Sequence, residues 1–472
     1  MKRISCVALL GSLGLVACGG NSSPGSDEEG SSDSSGTDPS ATTNPSTSDP
    51  SDPTTTNPSD PSDPTMASGT DESSSSDTAV DESSTTDATA SCGNMVVDDG
   101  EDCDDGNDVD GDGCNVDCVE SGSVRWELVQ GTDAGGNDCA RDVSINAAGQ
   151  VAIGGEAQSA DLETYDVLAL SIDPTGTVGW EMVYDSASDT ESGGGQTDRG
   201  YGVAIEDDGE VIVSGHEYLD VEHVWVRKLD ANGAELWTRT GADTDDGRGY
   251  GVALGDNGDV FVVGTHGLYA FVTKYNTNGL EFWTEERKGS DGCNGCDNLF
   301  RARAYDDGGI VAGGSYDNMN GDAAVVRMDA DGNDVWSDIV DSMDMYSDYV
   351  IAVGANGAST LVGIQLADND HADLHSYDAD GNVEWTLADP FVDAQLVDVE
   401  GMPDGGFVAL ATKYDMTAGY SAIVRRYDAE GGMMWDRELA GPAMGYQEPR
   451  AIAGCEAEAE GYEDVWVAVL AP

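Results

Sequence analysis

From residue 123 onward the chain is written in short apolar runs separated by glycine-bearing polar turns. The pattern is plainest between Gly249 and Glu285, where Gly249–Leu254, Val260–Gly264, Ala270–Tyr275 and Leu280–Glu285 are divided by turns such as Asp256-Asn257-Gly258 and Asn278-Gly279. The second run of each unit is continuously apolar, as in Val211–Val213, Val260–Val263 and Phe407–Ala411, which predicts a strand buried on both faces. Each unit reaches a tryptophan about every fifty residues, at Trp126, Trp180, Trp237, Trp283, Trp336, Trp385 and Trp435. A unit this small cannot bury its own apolar face and must stack on its neighbours. The expected architecture is all-β, a seven-bladed β-propeller over residues 123–472 with strands a to d in every blade.

Two details sharpen that expectation. The turn between strands c and d recurs as Asp230-Ala231-Asn232-Gly233, Asp329-Ala330-Asp331-Gly332, Asp378-Ala379-Asp380-Gly381 and Asp428-Ala429-Glu430-Gly431, with glycine supplying the positive φ of a short hairpin. The last unit has a strand c at Val465–Leu470 but no tryptophan strand, whereas Ser123–Gln130 carries Trp126 with no strands a to c before it. Pairing these two would close the ring and cover an exposed edge. The d-to-a and b-to-c connections vary in length, and in a propeller they share a face. That loop-rich acidic face, with Asp185–Asp198, Gly241–Asp246, Gly289–Asn298 and Asp341–Asp348, is the first candidate for binding.

Composition changes the picture at the N-terminus. Met1-Lys2-Arg3 is followed by an apolar run to Val16 and then Ala17-Cys18-Gly19; the run falls short of the roughly 20 residues that span a bilayer. It resembles a bacterial lipoprotein signal peptide over residues 1–17, which implies cleavage before Cys18, lipidation of Cys18 and anchoring of the chain to the membrane. Gly19, rather than aspartate, favours the outer membrane. Residues 18–91 are almost wholly Ser, Thr, Asp, Pro and Gly. They cannot form a core and read as a disordered tether spanning on the order of 50 Å.

A second texture runs from Cys92 to Cys118: Cys92-Gly93-Asn94, Gly100-Glu101-Asp102-Cys103-Asp104-Asp105-Gly106-Asn107, Asp110-Gly111-Asp112-Gly113-Cys114 and Cys118. It resembles the Myxococcus cysteine-rich repeat, departing at Met95. A module of residues 92–120 needs staples, and Cys92, Cys103, Cys114 and Cys118 are expected to form two disulfides, with three possible connectivities. Asp108, Asp110 and Asp112 alternate ahead of a glycine as the start of a calcium loop does, although Val119 stands where the bidentate glutamate would be. Calcium is the one cofactor this suggests. The repeats themselves resemble bacterial propeller repeats of myxobacterial surface proteins and, more distantly, the tryptophan-docking repeats of quinoproteins; no quinone-binding signature accompanies them.

With 92 acidic against 20 basic residues the net charge is −72, which excludes nucleic acid as a partner. His216, His266 and His371 sit at comparable b-to-c positions but on different units, so they need not converge on a metal. Gly247-x-Gly249-x-Gly251 leads into a strand and fails the context of a dinucleotide site. Cys293 and Cys296 are expected to form a loop disulfide. Cys139 and Cys455 are left over, and strand lengths place them roughly 20 Å apart, so their fate stays open. No catalytic residue is named. The functional expectation is a lipid-anchored protein of the cell envelope whose propeller binds an envelope or extracellular protein or a glycan; the alternatives are a propeller enzyme, hydrolase or quinone-type oxidoreductase, and a purely structural envelope protein.

Overall fold

The computed structural model describes residues 6–9 and, outside segments 133–137, 160–163, 187–196, 242–245, 256, 288–296, 317–320, 341–347, 357–358, 367–370, 392–393, 403–404, 416–418, 441–445, 450–453 and 458–464, residues 92–471. No described helix is long and apolar enough to cross a membrane. The first strands are β1 (Cys6–Leu9) and β2 (Val124–Gln130). Blade one comprises β3 (Asp138–Ile145), β4 (Val151–Gln158), β5 (Tyr165–Ile172) and β6 (Val178–Tyr184). Blade two comprises β7 (Arg199–Ile205), β8 (Val211–Tyr218), β9 (Glu222–Leu229) and β10 (Glu235–Thr240). Blade three comprises β11 (Gly247–Leu254), β12 (Val260–His266), β13 (Tyr269–Tyr275) and β14 (Glu281–Arg287). Blade four comprises β15 (Asn298–Ala304), β16 (Ile310–Tyr316), β17 (Asp322–Met328) and β18 (Asp334–Val340). Blade five comprises β19 (Tyr349–Asn356), β20 (Ser359–Leu366), β21 (His371–Tyr377) and β22 (Val383–Ala388). Blade six comprises β23 (Gln395–Gly401), β24 (Phe407–Asp415), β25 (Gly419–Tyr427) and β26 (Met433–Ala440). The final strands are β27 (Tyr446–Pro449), β28 (Gly454–Ala457) and β29 (Val465–Leu470).

Six four-stranded antiparallel sheets are therefore complete, not seven. The strands expected in a seventh are divided between a β27–β28 hairpin and a sheet ordered β1–β29–β2. The sequence explains the shortfall. Where other blades have a continuous apolar second strand, this stretch reads Cys455-Glu456-Ala457-Glu458-Ala459-Glu460, and a strand with carboxylates on one face cannot be buried on both. The edge of β29 is taken instead by β1, which runs parallel to it with Cys6 opposite Val467; β1 lies within residues 1–17, the segment expected to be removed ahead of Cys18, so this edge is covered only while that segment is present.

The incomplete sheet still fills the gap in the ring. β2 pairs antiparallel with β29, Val124 opposite Leu470 and Gln130 opposite Val465. Val467 and Val469 pack into blade one with Trp126 and Leu128, while Ala468 and Leu470 pack into blade six. This is period-two alternation with both faces buried. The junction also imitates a turn. In blade one the Asp173 N–H donates to Thr177 O and the Gly176 N–H to Asp173 O. Across the closure the Ala471 N–H donates to Ser123 O at 2.8 Å and the Gly122 N–H to Ala471 O at 3.0 Å, the same pair of bonds made through space.

The tryptophans lock neighbouring blades. Trp180 lies over Gly233, Trp237 over Gly279 and Trp283 over Gly332, each glycine belonging to the c-to-d turn of the following blade. The indole Nε1 groups donate to carbonyls of the same turns: Trp180 to Ala231, Trp237 to Thr277 and Trp283 to Ala330. Trp126 does the same to blade one, over Gly176 and onto Pro174 O at 3.1 Å. At these turns a Cβ would meet the ring at about van der Waals contact or closer, so positive φ and absence of a side chain are both required. The turn aspartates are consumed internally, since Asp230 Oδ1 accepts from the N–H groups of Asn232 and Ala234.

The cysteine-rich module completes this series. Its bridges are nested, Cys92–Cys118 and Cys103–Cys114. Trp435 of blade six lies over Gly122 and donates to Gly111 O at 3.1 Å. Arg437 reaches Glu120 and Ser121 O from the same strand. The module thus supplies the turn on which the sixth tryptophan docks. Cys139 is also disulfide-bonded, and β28, which carries Cys455, packs against β3. The 20 Å separation expected for Cys139 and Cys455 is corrected accordingly: β28 belongs to a short hairpin lying against the first blade.

Candidate functional site

The innermost strands β3, β7, β11, β15, β19 and β23 contact one another in sequence around the propeller axis. Glycines permit this convergence. A Cβ at Gly202 would stand 3.0 Å from Gly251 Cα, and one at Gly251 2.9 Å from Phe300 O. The Gly-x-Gly strings of these strands are thus explained by crowding at the axis.

Each inner strand carries a bulge at one common register. The unpaired residues are Arg141, Tyr201, Tyr250, Phe300, Ile351 and Val397. All six are half-buried, in strands whose neighbouring positions are largely buried. A bulge re-aims a side chain, and repeating it around the ring makes a collar. Three consecutive blades make that collar aromatic: ring centroids of Tyr201 and Tyr250 are 5.1 Å apart, and those of Tyr250 and Phe300 5.4 Å, in tilted arrangements.

At the start of the inner strands, on the side reached by the d-to-a loops, arginines surround this arc. The buried Glu156 carboxylate accepts from Arg141 at 2.5 Å and pairs with Arg199 at 2.9 Å. Arg248 pairs with Glu222 and donates to the Tyr250 hydroxyl at 3.4 Å. Burial by itself would raise the Glu222 carboxyl, but the Arg248 hydrogen bond holds it below the usual range. Burial raises the Tyr201 phenol, so it remains a donor. His216, packed on Tyr201, is buried and its imidazole is pushed down to about 4, chiefly by burial. It is neutral near pH 7.

Farther along, charges meet across the axis. Arg303 of blade four pairs with Glu400 of blade six. Asp142 of blade one faces Arg301 and Asp398, and accepts the Val203 N–H at 2.9 Å. Its carboxyl is pushed up to about 6, first by burial and further by Asp398, against the opposing pull of Arg301. This residue changes protonation near neutral pH.

Other candidates lie elsewhere. Cys18, Cys293 and Cys296, and most of the acidic loop face, fall outside the described residues. Among the described residues the carboxylates of Asp108, Asp110 and Asp112 do not gather into one ligand set. Asp110 accepts the Val116 N–H and Asp112 the Asn107 amide, with Asp105 as the carboxylate beside Asp112. The one acidic group whose oxygens do gather, Glu206, Asp208 and Glu210, already holds a cation, because Lys228 Nζ is 2.6 Å from Glu206 and 2.7 Å from Glu210. His216 lies two residues before the end of β8, His266 ends β12 and His371 opens β21; no histidine belongs to a metal-sized cluster among the described residues. Asp138, Asp198, Asp297 and Asp348 are buried just before or at the start of inner strands. Asp198 accepts backbone N–H groups from Ser186 and Tyr218, so part of the acidity of this face is structural.

The arginine–tyrosine collar was not singled out in the sequence reading, yet a signal exists. Arg-Gly-Tyr-Gly-Val-Ala occurs twice, at 199–204 and 248–253, and neither a buried strand nor a turn requires its arginine and tyrosine.

No family model and no curated relative matches the chain. Similar solved structures include the β-propeller domain of a trilobed protease from Pyrococcus furiosus, 10% identical, covering 70% of this chain and 94% of that one with a TM-score of 0.42. A periplasmic gluconolactonase from Pseudomonas aeruginosa is 12% identical, covering 67% and 96% with a TM-score of 0.44. A Bacteroides caccae protein of unknown function is 14% identical, covering 56% and 93% with a TM-score of 0.36.

Proposed function

We propose that this chain is a lipid-anchored protein of the cell envelope, held to the outer membrane through Cys18 and presenting its propeller on a long tether as a binding platform. One observation carries the binding role: a chain of net charge −72 gathers Arg141, Arg199 and Arg248 beside an aromatic arc at one end of the propeller axis. Partly buried aromatic rings with a few convergent polar groups are the composition of a ligand site rather than of a blade core. Propeller repeats resembling those of myxobacterial surface proteins, and a module resembling the Myxococcus cysteine-rich repeat, support the same address.

The anchoring is tested by Cys18→Ala, which is expected to move the protein from the membrane pellet to the soluble fraction and abolish acyl labelling. Retention of both would overturn it. A second reading, an enzyme working at the axis, draws on Asp142, whose carboxyl titrates near 6 beside Arg301 and is suited to proton transfer. An activity screen comparing the native chain with Asp142→Asn separates the two: turnover lost in the variant favours the enzyme.

A further inference from the structure

Building on the binding role just proposed, we infer that the collar of Tyr201, Tyr250 and Phe300 is a carbohydrate site, and that its ligand is a neutral oligosaccharide entering from the loop-rich face. The rings are tilted against one another by 54° and 57°, with centroids 5.1 and 5.4 Å apart, so the three form a continuous aromatic arc and are not stacked. Each is half-buried and belongs to a bulge, the position at which a strand turns a side chain out of its sheet. A sugar ring offers a flat C–H face to such a surface and hydroxyls around its edge. The groups beside the arc match those hydroxyls, since guanidiniums and carboxylates supply donors and acceptors side by side.

Charge selects the class. Arg141 and Arg199 share Glu156 and Arg248 pairs with Glu222, so three guanidiniums are offset by two carboxylates and the site offers hydrogen bonds with no more than one net positive charge. Around it lies a chain of net charge −72, whose field repels an anionic ligand. A wholly apolar ligand would strand these charged groups without water. A neutral polyol with apolar ring faces meets both conditions.

The test uses the purified full chain and calorimetric titration with four neutral hexasaccharides (β-1,4-glucan, α-1,4-glucan, β-1,3-glucan and chitin oligomers) and hexagalacturonate as the anionic comparison. At least one neutral hexamer is expected to bind saturably and more tightly than hexagalacturonate. The double variant Tyr201→Leu/Tyr250→Leu keeps apolar side chains at both positions but removes the flat faces, and is expected to weaken binding at least tenfold, the scale of a lost aromatic stack. Tyr201→Phe/Tyr250→Phe keeps the faces and should bind within a few-fold of the native chain. No neutral hexamer binding, preference for the galacturonate, or equal affinity in the leucine and phenylalanine variants would each overturn the inference. If none of the sugars binds while an envelope protein still docks on the loop-rich face, the binding-platform reading stands and the carbohydrate site alone fails.

Discussion

The tryptophans of β2, β6, β10, β14 and β26 each do two jobs, packing over a turn glycine and donating to a turn carbonyl, and the two separate by substitution. Trp237 is 8% exposed, lies over Gly279 and donates to Thr277 O at 2.9 Å. Trp237→Phe removes the hydrogen bond and part of the ring, and should cost about 1–2 kcal/mol. Trp237→Ala opens a cavity between blades two and three and should cost about 3–5 kcal/mol. Urea unfolding of both variants checks the order; equal losses would mean that the ring contributes nothing beyond its N–H. Asp142 gives a pH signature. Its carboxyl is pushed up to about 6 in the folded chain against 3.8 ordinarily, so between those values the native state binds more protons than the unfolded one. This contribution to stability therefore falls as pH rises through that window. At pH 7 the charged form costs at most about 3 kcal/mol, at about 1.4 kcal/mol per tenfold change in the ionisation constant. Asp142→Asn should be more stable than the native chain at pH 7.5, and the gain should shrink toward pH 5. A difference that does not vary with pH would contradict the assignment.

At the scale of elements, the closing pair decides whether the ring holds. β29 has cores on both faces, and β2 supplies its hydrogen-bonded edge along with Trp126. Deleting residues 123–130 should lower the melting temperature far more than deleting the tether, residues 20–91, because the first exposes two blade faces and the second removes a Ser/Thr/Asp/Pro/Gly segment whose composition cannot form a core. Equal melting of the two deletions would show that closure contributes little. Strand c contributes a second kind of pin. Lys228, Lys274 and Arg327 stand at one register and reach the a-to-b turns, onto Glu206 and Glu210, Asp259, and Asp307 respectively. Lys228 is 0% exposed, and its removal would leave two carboxylates facing each other, so these scarce cations are structural.

On the scale of the whole molecule, the cysteine-rich module is a part of the propeller. It receives Trp435 and Arg437 from blade six and leads through Gly122 into the closing strand. Reduction of its bridges should therefore loosen the ring as well as the module. Cys103→Ser/Cys114→Ser, which removes only the inner bridge, is expected to lower stability by about 2–4 kcal/mol and to shift Trp435 fluorescence toward that of an exposed indole. Unchanged melting and emission would show that the module is an independent bead.

What the sequence determined by itself was whatever repeats. The period of about fifty residues, the doubly buried second strands, the Asp-x-x-Gly turns and the pairing of Val124–Gln130 with Val465–Leu470 all follow from local pattern, because burial on both faces and positive φ restrict residue type at each copy. The blade count did not follow, since six sheets are complete and the seventh position is filled by an unfinished one; whether weak strands join is a competition among edges that only the assembled ring settles. Nor did the disulfide connectivity, the position of β28 beside β3, or the docking of Trp435 on the module, all of which unite residues far apart along the chain. The collar was written twice as Arg-Gly-Tyr-Gly-Val-Ala, but its meaning depends on a bulge that turns one residue per blade toward a common axis. Side chains separated by some fifty residues become one surface only when the blades close around it.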